Sequence, residues 1–169
     1  ASEHAAHVGL TAPGEIDVKA VAYNTFTQMA EDLLREDQGV IPKQLDKVGY
    51  IAKNFTDVLK NIDQKLLNYN KKTIIRRKGL KQSITYVPDF EFEDIIVDTK
   101  ATMAFPTDPY KTKLAHVRQA SLYGMLMNKR TALLYATDKK VGLFEIPPNI
   151  VERESTFMLD VFKKIEHNN

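Results

Sequence analysis

A chain of 169 residues is long enough for one domain around one hydrophobic core. Its 43% hydrophobic and 27% charged content is ordinary for a soluble globular protein, and a net charge of +2 is too mild to mark a nucleic-acid partner by itself. The absence of cysteine excludes disulfides, thiolate zinc sites and a cysteine-ligated iron–sulfur cluster.

Residues 1–14 hold His4, His7, small residues and Pro13-Gly14, the composition of an irregular arm. From residue 15 to about 35, Ile16, Ala20, Tyr23, Thr27, Ala30 and Leu34 recur at helical spacing, with acids in the first turn. A second helix is expected over residues 43 to about 68. There Leu45, Val48, Ala52, Phe55, Leu59, Ile62 and Leu66 step alternately by three and four. Such a stripe could be an oligomerising seam. It is too short to demand one, and an amphipathic helix packed on its own core explains it as well or better. Residues 71–77 and 81–87 read as paired strands around Gly79. Residues 95–98 form a short apolar strand, expected to be central, and residues 101–109 a loop. A helix is predicted over 110–128, strands over 131–136 and 140–146, and a last helix over about 152–167 with Phe157, Val161, Phe162 and Ile165 inward. Helices flanking a mixed sheet make an α/β layered domain, with residues 1–70 a helical part and residues 71–169 an α/β core.

The chemistry-bearing residues sit at the strand ends. Tyr86-Val87-Pro88-Asp89 is followed, after eight residues, by Asp98-Thr99-Lys100. Asp98 and Lys100 are two apart, so in a strand they share a face. If Phe90 and Ile95 close a hairpin around Glu91-Phe92-Glu93-Asp94, Asp89 lies diagonally across from Asp98, with Cβ atoms roughly 7–8 Å apart. Two carboxylates so placed suit one shared hard cation with a lysine beside it. Burying those charges is costly unless a metal or substrate offsets it. On spacing alone, a surface hairpin whose lysine guards a strand edge fits equally well.

Pro-Asp followed by Asp-x-Lys resembles the PD-(D/E)XK nuclease signature. Gln119-Ala120-Ser121-Leu122-Tyr123 resembles the Gln-x-x-x-Tyr motif of that superfamily's RecB-type exonuclease branch, which includes lambda exonuclease-like and mitochondrial genome maintenance exonuclease-like proteins. The resemblance runs from residue 71 to the C-terminus and implies a restriction-endonuclease-like core. It implies Asp89, Asp98 and the Thr99 carbonyl as metal ligands, Lys100 as the catalytic lysine, and Gln119 and Tyr123 as residues that organise the site. The cofactor it implies is Mg²⁺, with Mn²⁺ able to substitute. The products it implies carry a 5′-phosphate. The family often has a further histidine in an N-terminal helix, and here only His4 and His7 lie upstream.

Charge distribution points the same way. Lys71, Lys72, Arg76, Arg77, Lys78 and Lys81 fall between Asn70 and Gln82 with no acid among them, either a phosphate track or a solvated edge hairpin. Lys111, Lys113 and Arg118 add positive charge around the Gln-x-x-x-Tyr helix. His116, one turn before Gln119, could contact a phosphate or be a neutral, hydrogen-bonded histidine. Tyr69, Tyr86, Phe90, Phe105 and Tyr110 could stack unpaired bases, although core positions suit most of them better.

The expected activity is metal-dependent exonuclease cleavage of DNA, on single strands or at ends, alongside replication or recombination proteins. Two other readings stay open: a junction-resolvase-like structure-specific endonuclease, and a non-catalytic nucleic-acid-binding protein on a nuclease fold. The chain carries no phosphate-binding G-x-x-x-x-G-K-[ST] loop, so any helicase motor would be a separate chain. No apolar run approaches the roughly 20 residues of a membrane span, and the N-terminus lacks a basic flank followed by an apolar stretch. An intracellular location is expected, in bacterial cytoplasm for a phage-type enzyme or in the mitochondrial matrix. Opening at Ala1 without Met fits a removed initiator, a processed leader or a shortened chain.

Overall fold

The computed structural model describes residues 15–17 and 42–168. The expected N-terminal arm with His4 and His7, and most of the first expected helix, lie outside the described residues. The start of that helix is instead a strand, β1 (Glu15–Asp17).

In chain order there follow α1 (Pro42–Lys60), β2 (Leu66–Tyr69), β3 (Thr73–Ile75), β4 (Ser83–Tyr86), β5 (Phe90–Phe92) and β6 (Ile95–Ala101). Then come α2 (Pro109–Thr112), α3 (Leu114–Met127), β7 (Arg130–Ala136), β8 (Val141–Glu145) and α4 (Pro148–Asn168). They build a three-stranded sheet in the order β1-β4-β3 and a five-stranded sheet in the order β2-β5-β6-β7-β8. The mixed sheet with flanking helices is the fold class expected from the pattern.

β6 is the middle strand of the larger sheet, as expected, and longer than expected, so Asp98, Thr99 and Lys100 all lie within it. It pairs in parallel with β7, Asp98 opposite Leu133 and Lys100 opposite Tyr135, and α3 crosses between them. Parallel strands need such a crossover, which covers one sheet face. The other face takes α1. Ile95, Val97, Ala132 and Leu134 point to α1 and pack with Phe55, Val58, Leu59 and Ile62, so that Phe55, Leu59 and Ile62 of the heptad-like stripe face this chain's own core, while Ala52 and Leu66 are exposed. Ile96 points the other way, into a cluster with Ile84 and Tyr86 of β4, Leu122 and Tyr123 of α3, and Met158 and Phe162 of α4. That cluster joins the small sheet to the large one.

Some element boundaries, and the facing of one residue, differ from the sequence reading. The long second helix ends at Lys60, and Leu66–Tyr69 is strand β2, paired antiparallel to β5. The helix over 110–128 is two helices, broken at Lys113 (φ −125°, ψ 50°). α4 begins at Pro148, so the second proline of Pro147-Pro148 occupies a first-turn position that tolerates a missing N–H. Phe157 faces outward, 43% exposed under the Arg118 guanidinium at 3.9 Å, and Met158 takes the inward place.

Candidate active site

The site forms where β6 ends, because two strands and a helix deliver polar residues to one spot. β4 belongs to the small sheet and β5 to the large one. Val87-Pro88-Asp89 is the crossing between them, so Pro88 lies in neither strand and its missing N–H breaks no ladder. β5 and β6 pair with Phe90 opposite Val97 and Glu91 opposite Ile96. Carried one residue further, that register sets Asp89 directly across from Asp98 rather than diagonally.

Asp98 and Lys100 continue the Ile96 face of β6, toward α3. Asp98 is 2% exposed, and its Oδ2 lies 2.8 Å from Lys100 Nζ. Lys100 also donates to Gln119 Oε1 at 2.9 Å, and Gln119 Nε2 donates to the Tyr123 hydroxyl at 2.8 Å. Gln119 and Tyr123 are one turn apart on α3 and both buried, the Tyr123 ring lying 5.8 Å from that of Tyr86. Asp89 Oδ2 accepts from the Thr99 N–H at 2.8 Å and from the Thr99 hydroxyl at 2.9 Å. The Asp89 carbonyl accepts from the Asn70 N–H at 2.9 Å, tying the end of β2 to the site.

Burial pushes the Asp98 carboxyl up to about 6; Lys100 pulls against this, and the negative charge of Asp89 adds to it. A buried carboxylate held uncomfortably charged beside a second one is a site that a cation would relieve. Among the described residues no group of three or more Asp, Glu, His or Cys side chains converges. Two carboxylates with a backbone carbonyl suit Mg²⁺, which takes one or two carboxylates and keeps several waters.

His116, at the start of α3, has its Nδ1 2.6 Å from the Tyr135 hydroxyl. Burial, with the charges of Lys100 and Lys113, pushes it down to about 3, so it is neutral at physiological pH. Tyr135 is a member of this site that the sequence reading did not single out. It sits beside Lys100 only through the β6–β7 pairing. Glu91 is another. It accepts from Asn68 at 2.8 Å and from Lys129 at 2.6 Å, buttressing β5 between its neighbours. Burial draws the Glu91 carboxyl upward, but those two hydrogen bonds and the charges of Lys129 and Lys71 outweigh it and hold it below its ordinary value.

The basic residues divide into two groups. β3 and β4 pair with Thr73 opposite Tyr86 and Ile75 opposite Ile84, so the open end of this hairpin is beside Asp89 and its turn is at the far end. Lys71 and Lys72, both exposed, are at the open end. Arg76, Arg77, Lys78 and Lys81 are at the turn, which is docked on α4. The Lys81 and Gln82 N–H groups donate to the Glu166 carboxylate at 2.9 and 2.6 Å. Arg77 lines a cleft of about 610 Å³ with Asp94, Lys129, Arg130 and Glu145, at the start of β6 and β7. Asp98 is four residues along β6 from Asp94, roughly 13 Å. Arg118 donates to Glu154 at 3.0 Å, on the α4 side of α3.

No protein-family model matches the chain, and no curated protein does. Solved structures do. The crystal structure of SSO0001 superposes with a TM-score of 0.51 at 14% identity, covering 94% of this chain and 82% of that one. An alkaline exonuclease from Laribacter hongkongensis superposes with a TM-score of 0.50 at 12% identity, covering 91% of each chain. The chain shares its fold with these structures, one of them an exonuclease. The identities are low, so the likeness is one of fold and residue roles rest on the geometry above. On this shared fold, Asp89, Asp98, Thr99, Lys100, Gln119 and Tyr123 come together in one cluster. His116 stands beside it through Tyr135 and Lys100. No helix of the described residues is long and apolar enough to cross a membrane.

Proposed function

We propose that the protein is a metal-dependent exonuclease that hydrolyses the phosphodiester bonds of DNA. The observation that carries this is Lys100, held by the buried carboxylate of Asp98 on one side and Gln119 on the other, at a strand end facing Asp89. Asp89, Asp98 and the Thr99 carbonyl would hold Mg²⁺, or Mn²⁺ in its place. When bound, the cation lowers the pKa of a coordinated water and polarises the scissile phosphate.

The remaining work falls to side chains. Lys100 offers its positive charge to the phosphate oxygen on which charge builds, in a partly dry site where that charge counts for more than in water. Gln119 aims Lys100, and Tyr123 fixes Gln119. Lys71 and Lys72 supply phosphate contacts on the approach to Asp89. The Gln119–Tyr123 pair, together with the exonuclease among the fold's likenesses, favours cleavage from ends over internal cleavage at junctions.

The test is cleavage of linear DNA labelled separately at each 5′ and 3′ end, single- and double-stranded, with Mg²⁺, with EDTA and with Lys100→Ala. Stepwise loss from one end that needs both the metal and Lys100 is expected. Internal cuts confined to branched DNA would replace this reading with the endonuclease one. Salt-sensitive binding without any cleavage would leave a binding protein on a nuclease fold.

A further inference from the structure

Lys100 has a neighbouring strand on either side. On one side β5 leads away from Asp89. On the other, β7 sets Tyr135 in register with Lys100, one strand spacing or about 4.8 Å across the sheet. Tyr135 packs with Val117 and Ala120 of α3, so it is on the same sheet face as Asp98 and Lys100. It is fully buried, and its hydroxyl lies 2.6 Å from His116 Nδ1. His116 is one turn before Gln119 on α3, which puts the imidazole and the amide that holds Lys100 on one helix face.

The imidazole is half-buried. Burial first, and then the positive charges of Lys100 and Lys113, oppose a second proton on the ring, which stays neutral. A neutral imidazole carries one N–H and one acceptor nitrogen. A Tyr135 hydroxyl that donates to Nδ1 sets the proton on Nε2, at the opposite edge of the ring, and fixes the direction in which that edge points. The same two lysines that keep the ring neutral attract negative charge to it. An oriented N–H with an ammonium group on either side suits an anion with several acceptor oxygens, and a phosphodiester is such an anion.

We propose that His116 and Lys113 form a second phosphate subsite, on the β7 flank of Lys100, which binds the DNA phosphate next to the scissile one. This rests on the function proposed above and adds the path of the strand. The backbone enters past Lys71 and Lys72, crosses the ends of β5 and β6 at Asp89, Asp98 and Lys100, and leaves over β7 at His116. Tyr135 is a positioning residue, holding the imidazole from within the core. The two subsite residues act differently: Lys113 supplies charge, and His116 supplies a directed hydrogen bond without charge.

The experiment is equilibrium binding of a fluorescein-labelled single-stranded oligonucleotide in EDTA at pH 8, over a range of salt concentrations. The proteins are the wild type, His116→Ala, His116→Gln, His116→Asn, Tyr135→Phe and Lys113→Ala, with a thermal melt of each. His116→Ala is expected to weaken binding roughly 10- to 100-fold, as loss of a hydrogen bond to a charged group does, and to leave the log–log salt slope unchanged. Lys113→Ala should lower that slope by about one. The amide nitrogen of Gln reaches about as far as Nε2, and that of Asn only as far as Nδ1. His116→Gln should therefore keep most of the affinity and His116→Asn lose it. Tyr135→Phe should fall between the wild type and His116→Ala. Affinity kept by Asn and lost with Gln would make the ring a partner of Tyr135 alone and overturn the subsite. So would a salt slope that falls with His116→Ala, or a Gln variant as weak as Ala. A wild type that binds no DNA would take the proposed function down as well. A wild type that binds and cleaves, with His116→Ala indistinguishable from it, would remove only the second subsite.

Discussion

Replacing Asp98 with Asn is expected to stabilise the metal-free protein. The ordinary carboxyl value of 3.8 is pushed up to about 6 at this position. That gap of about two units, at about 1.4 kcal/mol each, makes ionised Asp98 cost the fold about 3 kcal/mol. The pull of Lys100 is already included in that balance, so losing the ion pair does not cancel the gain. The sign follows from proton binding. Between about 4 and 6 the folded chain holds a proton that the unfolded chain has released, so stability falls as pH rises through that window. Asp98→Asn keeps the shape and removes the charge. In urea denaturation with EDTA at pH 8, it should exceed the wild type by about 1–3 kcal/mol, and the advantage should vanish near pH 4. Mg²⁺ should raise the melting temperature of the wild type above pH 6 and leave Asp98→Asn nearly unmoved. An Asn variant less stable than the wild type at pH 8, or a difference that ignores pH, would refute the reasoning.

Two further outcomes follow from the geometry. A Cβ at Gly142 would lie 2.6 Å from Phe105 Cζ, so Gly142→Ala must displace the ring that anchors the loop after β6. A loss of about 1–3 kcal/mol in urea denaturation is expected, with Gly49→Ala, which meets nothing within 4 Å, as the comparison. Neutralising Lys71 and Lys72 together should weaken DNA binding and lower the log–log salt slope by about one to two, while neutralising Arg77 and Lys78 at the docked turn should move it much less.

What the sequence made legible was local. Asp98 and Lys100 share a face because strands repeat every two residues, and Gln119 and Tyr123 because helices return every four. Neither inference needed to know what lies across the sheet. Strand β2 was hidden because Leu66 continues the spacing of Leu59 and Ile62, and no glycine or proline marks the end of α1 at Lys60. A short apolar run cannot be told from a helical turn by period alone. β1 is three residues long and exists through its pairing with β4, nearly seventy residues away. Tyr135 was invisible for the same reason: its place beside Lys100 depends on a parallel pairing reached through a helix. Phe157 looked like core because its spacing is right, yet the Arg118 guanidinium covers it from outside.

The hydrogen bonds from Lys100 to Gln119 to Tyr123 have a direction. An ammonium can only donate, so the atom of Gln119 facing it must be the carbonyl oxygen, and the amide nitrogen must face Tyr123. Tyr123 is thereby an acceptor from the amide. Every proton along the chain points away from Lys100, and no atom of Gln119 or Tyr123 in it can take one from the lysine and pass it on. The polarity makes Gln119 an acceptor only, so of these two neighbours it is the Asp98 carboxylate at 2.8 Å, and not the amide, that could take a proton from the lysine. A carboxylate at position 119 would accept at both ends and turn the tyrosine round, which is why the amide, and not merely a side chain of that length, suits this place.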